Sequence, residues 1–178
     1  MKQLLIVWHS RTGAARQMAE AAARGAAAAA TQLEQPDELE VILRPARDAV
    51  VDEVLASDGF LFCAPENLAS LSGEMKEFFD RSYYGVLDRI AGRPYACLIS
   101  AGSDGSGAAR QVERICTGWR LRAVAQPLIV NLGAQTPQQI AAPKTVAPAC
   151  LARCEEAGGL LAGLLPVSYT HLRAHETE

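Results

Sequence analysis

The stretch Leu4-Leu5-Ile6-Val7-Trp8-His9-Ser10-Arg11-Thr12-Gly13 decides the fold. Its apolar half has the length of one buried strand, and a run of helix formers begins at Ala14. At the junction stand two hydroxyls, a cation and a glycine. Four backbone N–H groups open any helix without partners, and the helix dipole makes that end partly positive. A strand delivering the chain straight into such an end makes an anion site. Ser10 and Thr12 add hydroxyl donors, Arg11 adds charge, and Gly13 lets the backbone approach a ligand closely. The stretch reads as a phosphate cradle.

Working outward, helix is expected from Thr12 to about Ala30, with Met18, Ala22 and Ala26 on one face. Leu39 to Leu43 reads as a second strand stopped by Pro45. Asp48 then caps a short helix through Leu55, burying Val50, Val51, Val54 and Leu55. Gly59 to Ala64 is a third strand, apolar throughout, as strands covered on both faces are. It opens into a loop, Pro65 to Gly73, before a helix with Met75, Phe78, Phe79 and Ser82 at helical spacing. A fourth strand (Tyr95 to Ser100), a glycine-rich loop (Ala101 to Gly107) and a helix with stripe Ala108, Val112, Ile115 and Trp119 follow. Leu128 to Leu132 is the fifth strand, and a last helix runs from about Val146 to Leu165.

Strand and helix alternate five times, which specifies a three-layer α/β sandwich around a parallel sheet. Ligands of such sheets bind beyond the carboxyl ends of the strands, where strand order reverses. The loops after strands one, three and four would meet at that edge, and their convergence carries more weight than any one of them.

The 178 residues suit one domain, residues 1–166, able to bury about 70% of its unfolded surface. A net charge of −3 argues against nucleic-acid and anionic-membrane partners, and no apolar run has the length of a membrane span. No secretory leader is read at the start, and five cysteines without framework spacing suit reduced thiols; both lead to a cytoplasmic expectation. Residues 167–178 are polar and aperiodic and read as a non-native or disordered tail.

Ser10-Arg11-Thr12-Gly13 after its strand resembles the phosphate loop of flavodoxins. Ala64-Pro65-Glu66-Asn67 with Ser72-Gly73-Glu74-Met75-Lys76-Glu77-Phe78-Phe79-Asp80-Arg81 is similar to the second flavin loop of the flavodoxin-like NAD(P)H-dependent FMN reductases and NAD(P)H:quinone oxidoreductases. Ser100 to Gly107 stands where that family's third flavin loop belongs. The resemblance implies a flavodoxin-like sandwich with a five-stranded parallel sheet in the order 2-1-3-4-5. It also implies an FMN whose phosphate rests on Ser10, Arg11, Thr12, Gly13, Ala14 and Ala15. The ring would lie between Pro65, Glu66, Asn67 and Leu68 on one side and Ser100, Ala101, Gly102, Ser103, Asp104 and Gly105 on the other, with Leu68 and Leu71 able to cover a face. The resemblance further implies that hydride passes from NAD(P)H, as co-substrate, to a small-molecule acceptor such as a quinone; no nucleic-acid partner and no membrane span are expected, and a homo-oligomer is. No side chain is assigned as catalytic, and no metal is called for. Neither ring loop carries the stacking aromatic of many flavodoxins, which suits an enzyme needing an open ring face. A flavodoxin-like carrier without NAD(P)H turnover, and a scaffold that binds no flavin, remain the alternatives.

Sharper readings fail on chemistry. Ser10 to Arg16 has phosphatase-loop spacing, but a serine without an adjacent base is a poor nucleophile. Gly102 to Gly107 lacks both the dinucleotide glycine offsets and a nucleotide-loop lysine. Ala64 and Pro65 stand where a receiver domain needs a carboxylate. His9 reads as a packed, hydrogen-bonded residue, Cys63 and Cys97 as filling of the sheet core, and Cys150 with Cys154 as buried thiols. Lys76, Asp80 and Arg81 read as a solvated helix face on which Lys76 can pair with Asp80, with a nicotinamide-phosphate contact the lesser alternative for Arg81 near the ligand edge.

Overall fold

A computed structural model describes residues 1–175, with side chains described as far as Leu165. The strands are β1 (Lys2–Trp8), β2 (Leu39–Pro45), β3 (Gly59–Asn67), β4 (Ser70–Leu71), β5 (Pro94–Ala101), β6 (Arg122–Ala123) and β7 (Leu128–Asn131). The α-helices are α1 (Ala14–Gln32), α2 (Val51–Ala56), α3 (Gly73–Val86), α4 (Ser106–Gly118), α5 (Pro137–Ala141) and α6 (Pro148–His175). The helix α6 passes the expected end at Leu165. The reading of residues 167–178 as a non-native or disordered tail lies outside the described side chains.

The sheet runs β2-β1-β3-β5 in parallel, with β6 and β7 both pairing β5. This is the flavodoxin-like order with its fifth strand in two pieces, because the chain leaves the ladder between Ala123 and Leu128 around Pro127, which has no N–H to donate. Alternation along the strands fills both faces. Leu4, Ile6, Leu61, Cys63 and Leu98 face α1 and α6, while Leu5, Val7, Phe60, Phe62 and Ile99 face α3 and α4. Phe62 anchors the second layer, with ring centroids 4.9 Å from Phe79 and 6.3 Å from Trp119. Each fully buried Phe contributes about 2 kcal/mol through burial alone.

Three local expectations are corrected. Asp48 belongs to a 3-10 turn and caps nothing. The helix α2 starts after Val50, which is exposed, and the Glu53 carboxylate accepts the Val50 N–H at 3.4 Å. The segment Pro65 to Gly73 is not an open loop: β3 continues through Asn67 and turns back as β4, pairing Glu66 with Leu71 and Asn67 with Ser70. Its two turn residues, Leu68 (φ 52°) and Ala69 (φ 62°), both occupy the left-handed region, which costs L-residues roughly 1–2 kcal/mol each. Replacing this pair by Asn-Gly, the sequence such a turn favours, is expected to raise stability by about 1 kcal/mol or more in urea unfolding. No gain would show the turn to be unstrained.

Candidate functional site

The ligand edge is built from two helix starts of one geometry. Gly13 (φ 99°, ψ −14°) precedes α1, and Gly105 (φ 96°, ψ −11°) precedes α4. Only glycine takes that backbone without strain. In the first loop the Ser10 Oγ accepts the Gly13 N–H at 3.1 Å, tightening the turn. The N–H groups of Arg11, Thr12, Ala14 and Ala15 find no partner among the described residues, so the turn presents unsatisfied donors at a positive helix end.

The second and third loops are fastened to each other. The Glu66 carboxylate accepts the Gly105 N–H and the Ala108 N–H, both at 3.0 Å, and so caps α4 from a distant strand. The Gln111 Oε1 accepts from Ser70 Oγ and from the Leu71 N–H, holding the hairpin to the same helix. A Cβ on Gly107 would stand 2.2 Å from the Ala69 carbonyl oxygen, so the contact between α4 and the turn is open only to glycine.

Between these loops lies a cavity of about 280 Å³. It is lined by Arg11, Thr12, Pro65, Glu66, Asn67, Ser100, Ala101 and Gly102, so half of the expected site residues meet there. The others do not line it. Ala14 and Ala15 turn their side chains into the core, leaving only their amides at the edge. Ser10 faces a neighbouring cavity, and Gly13 sets the turn. Leu68 is fully exposed and covers nothing in the chain. Ser103 is exposed; Asp104 accepts the Ser106 N–H at 3.1 Å, and hydrogen bonding from the Ser106 side chain first and its N–H second lowers the Asp104 pKa; Gly105 is engaged by Glu66.

Sequence reasoning missed one wall. Leu132, Ala134, Ile140, Ala141 and Lys144, from the segment between β7 and α6, complete the lining. That segment leaves the carboxyl end of the last strand, which is the one signal that pointed there. Gln17 fixes it, with Nε2 donating to the Lys144 carbonyl at 2.7 Å and Oε1 accepting the Val146 N–H at 2.9 Å. Arg81 lines neither this cavity nor the one beside it. Its guanidinium donates to the carbonyls of Ala46 and Ala49 and to Glu77, tying α3 to the 3-10 turn. Lys76 pairs with Asp80 at 2.6 Å.

A second cavity, about 330 Å³, lies across the first loop among Trp8, His9, Ser10, Arg11, Pro45, Ala46, Arg47 and Glu74. His9 is buried beneath it, its Nδ1 2.8 Å from Ser72 Oγ and its Nε2 3.2 Å from a Glu74 oxygen. A carboxylate only accepts, so Nε2 carries the proton and the Ser72 hydroxyl donates to Nδ1. Burial lowers the His9 pKa below about 6.5 and nearby Arg11 adds to this, while Glu74 opposes it. Below pH 6.5 the unfolded chain therefore takes a proton that the folded chain refuses, and stability falls toward the lowered folded value. The substitution His9→Asn is expected to flatten that acid limb in a series of thermal midpoints. Equal slopes would clear His9 of the effect.

Cys63 and Cys97 are buried in the sheet, and burial pushes both thiols well above their ordinary range. Among the described residues no three His, Cys, Asp or Glu gather to hold a metal ion, and no helix is long and apolar enough to cross a membrane.

The geometry is that of a flavodoxin-like sandwich with its ligand loops at one sheet edge. Residues 9–136 match the family of NADPH-dependent FMN reductases, and the chain belongs to that family. A flavodoxin of Aquifex aeolicus (strain VF5) is 31% identical over 107 residues, 60% of this chain and 54% of that protein. The match thus spans about half the length of that relative. Among solved structures, a flavodoxin from the domain Archaea superposes with a TM-score of 0.70 at 15% identity, covering 90% of this chain and 96% of the other. An oxidoreductase from Corynebacterium diphtheriae gives 0.70 at 20% identity, covering 93% and 97%. The flavodoxin, WrbA-like protein from Agrobacterium tumefaciens gives 0.63 at 19%, covering 92% and 97%. At these identities the likeness is one of fold.

Proposed function

We infer that this chain is an FMN-dependent oxidoreductase that takes hydride from NAD(P)H and passes it to a quinone or similar small acceptor. The observation that carries the reading is the mixed lining of the 280 Å³ cavity. Its lining combines the cations Arg11 and Lys144 and the Thr12 of the first loop with Pro65, Asn67, Ser100, Ala101 and Gly102 around a carboxylate already engaged by α4. A phosphate suits the cations, and a flat, weakly polar ring suits the uncharged residues. The cavity sits at the small end of the range for ligand pockets, roughly 300 Å³ and upward, so a ring held there keeps part of its surface at the mouth for a second substrate.

The bound FMN would supply the hydride chemistry, and the chain would supply position and electrostatics. Arg11, Thr12 and the first-loop amides would hold the phosphate. The Glu66 clasp would keep the two ring loops at a fixed separation. No described side chain is needed as an acid or a base.

The alternative, an electron carrier without NAD(P)H turnover, draws on the similarity to a flavodoxin. Adding FMN to the purified protein should quench flavin fluorescence, and the complex should oxidise NAD(P)H in the presence of a quinone. Flavin binding without oxidation above background would leave the carrier. Binding of no flavin would end both readings.

A further inference from the structure

Arg11 and Lys144 are the two cations lining the cavity among the described residues. Lys144 lies beyond residues 9–136, the part matched by the family. Its backbone N–H donates to the Thr12 carbonyl at 2.8 Å, and Gln17 holds its carbonyl. The lysine is thereby bolted to the turn whose amides are unpartnered. Its Nζ donates to the carbonyls of Ile140 at 3.0 Å and Ala142 at 2.6 Å, which uses two of its three protons. Among the described residues no carboxylate pairs with it, and Glu66, the acidic group in the lining, has both oxygens on α4 amides. Arg11 is exposed and shared between two cavities, whereas Lys144 lines this one.

We propose that Lys144 is the second cation of the flavin-phosphate site, reaching it from the segment between α5 and α6 and selecting a phosphomonoester dianion. The proposal rests on the FMN reading above and adds a determinant outside the matched region. A purely structural lysine would only brace the α5 carbonyls; a ligand-facing one distinguishes FMN from riboflavin, which lacks the phosphate.

The test is fluorescence titration of the full chain, as wild type, Lys144→Met and Lys144→Arg, with FMN and with riboflavin at low and high salt. Methionine keeps the apolar stem and removes the charge. The expected result is an FMN Kd raised about tenfold in Lys144→Met, a shallower salt dependence, and an unchanged riboflavin Kd, with Lys144→Arg close to wild type. An unchanged FMN Kd would overturn the proposal while leaving FMN binding intact. Equal losses for both flavins would overturn it too, making Lys144 a brace. A wild type that binds neither flavin would remove the FMN reading instead. Inorganic phosphate then decides the anion site: thermal stabilisation of wild type but not of Lys144→Met would keep it, and stabilisation of neither would remove it.

Discussion

Replacing Gly158 by alanine is expected to destabilise the protein by about 2–3 kcal/mol, although alanine is the better helix former. A Cβ there would stand 1.9 Å from the Ala22 carbonyl oxygen and 2.7 Å from its carbon. The reciprocal contact is as close: a Cβ on Gly25 would lie 2.0 Å from the Glu155 carbonyl oxygen. Backbone atoms cannot rotate aside, so α1 and α6 must separate. The alanines that α1 buries under α6, Ala22 and Ala26 among them, would then lose their packing. Gly163 is the control on the same helix. Nothing lies within 4 Å of its added Cβ, and Gly163→Ala should stabilise by up to about 1 kcal/mol. Urea unfolding of the two variants checks both signs. Equal and small changes would mean that the helices sit farther apart than described.

Removing the Glu66 carboxylate should have the next largest effect. In Glu66→Ala the amides of Gly105 and Ala108 lose charge-assisted acceptors at a positive helix end, at a cost of about 2 kcal/mol. The loss has a second consequence, because the same carboxylate fixes the distance between the ring-flanking loops. Affinity for FMN and for riboflavin should fall together, unlike the phosphate-specific loss expected at Lys144. Amide hydrogen exchange at Gly105 and Ala108 should accelerate. Protection at those two amides equal to wild type would show that α4 is capped some other way. Glu66→Gln retains one acceptor and should fall between.

The legible parts of the sequence were those with local causes. Unbroken apolar runs marked the strands, Gly13 before a run of helix formers marked the first loop, and Pro45 marked a stop. The hairpin at Asn67 to Ser70 was hidden because its turn residues are Leu68 and Ala69, which violate the usual turn chemistry. Glu66 read as a ligand-side residue. Its partners are 39 and 42 positions away, and no local pattern announces a cap donated from another element. The anchoring of Arg81 was hidden for the same reason, its carbonyl partners lying more than 30 positions upstream. The wall carrying Lys144 depends on Gln17, 127 positions distant. What periodicity cannot report is which side chain closes a gap between elements.

The broken outer strand has an effect of its own. An exposed sheet margin invites an extended segment from another molecule to zip onto it, the first step toward fibrils. Here that margin consists of two residues, Arg122 and Ala123, then an interval containing Pro127, then four more, Leu128 to Asn131. Neither piece is long enough to template a new ladder, and proline cannot complete one. The interruption therefore works as a guard against polymerisation along this side of the sheet.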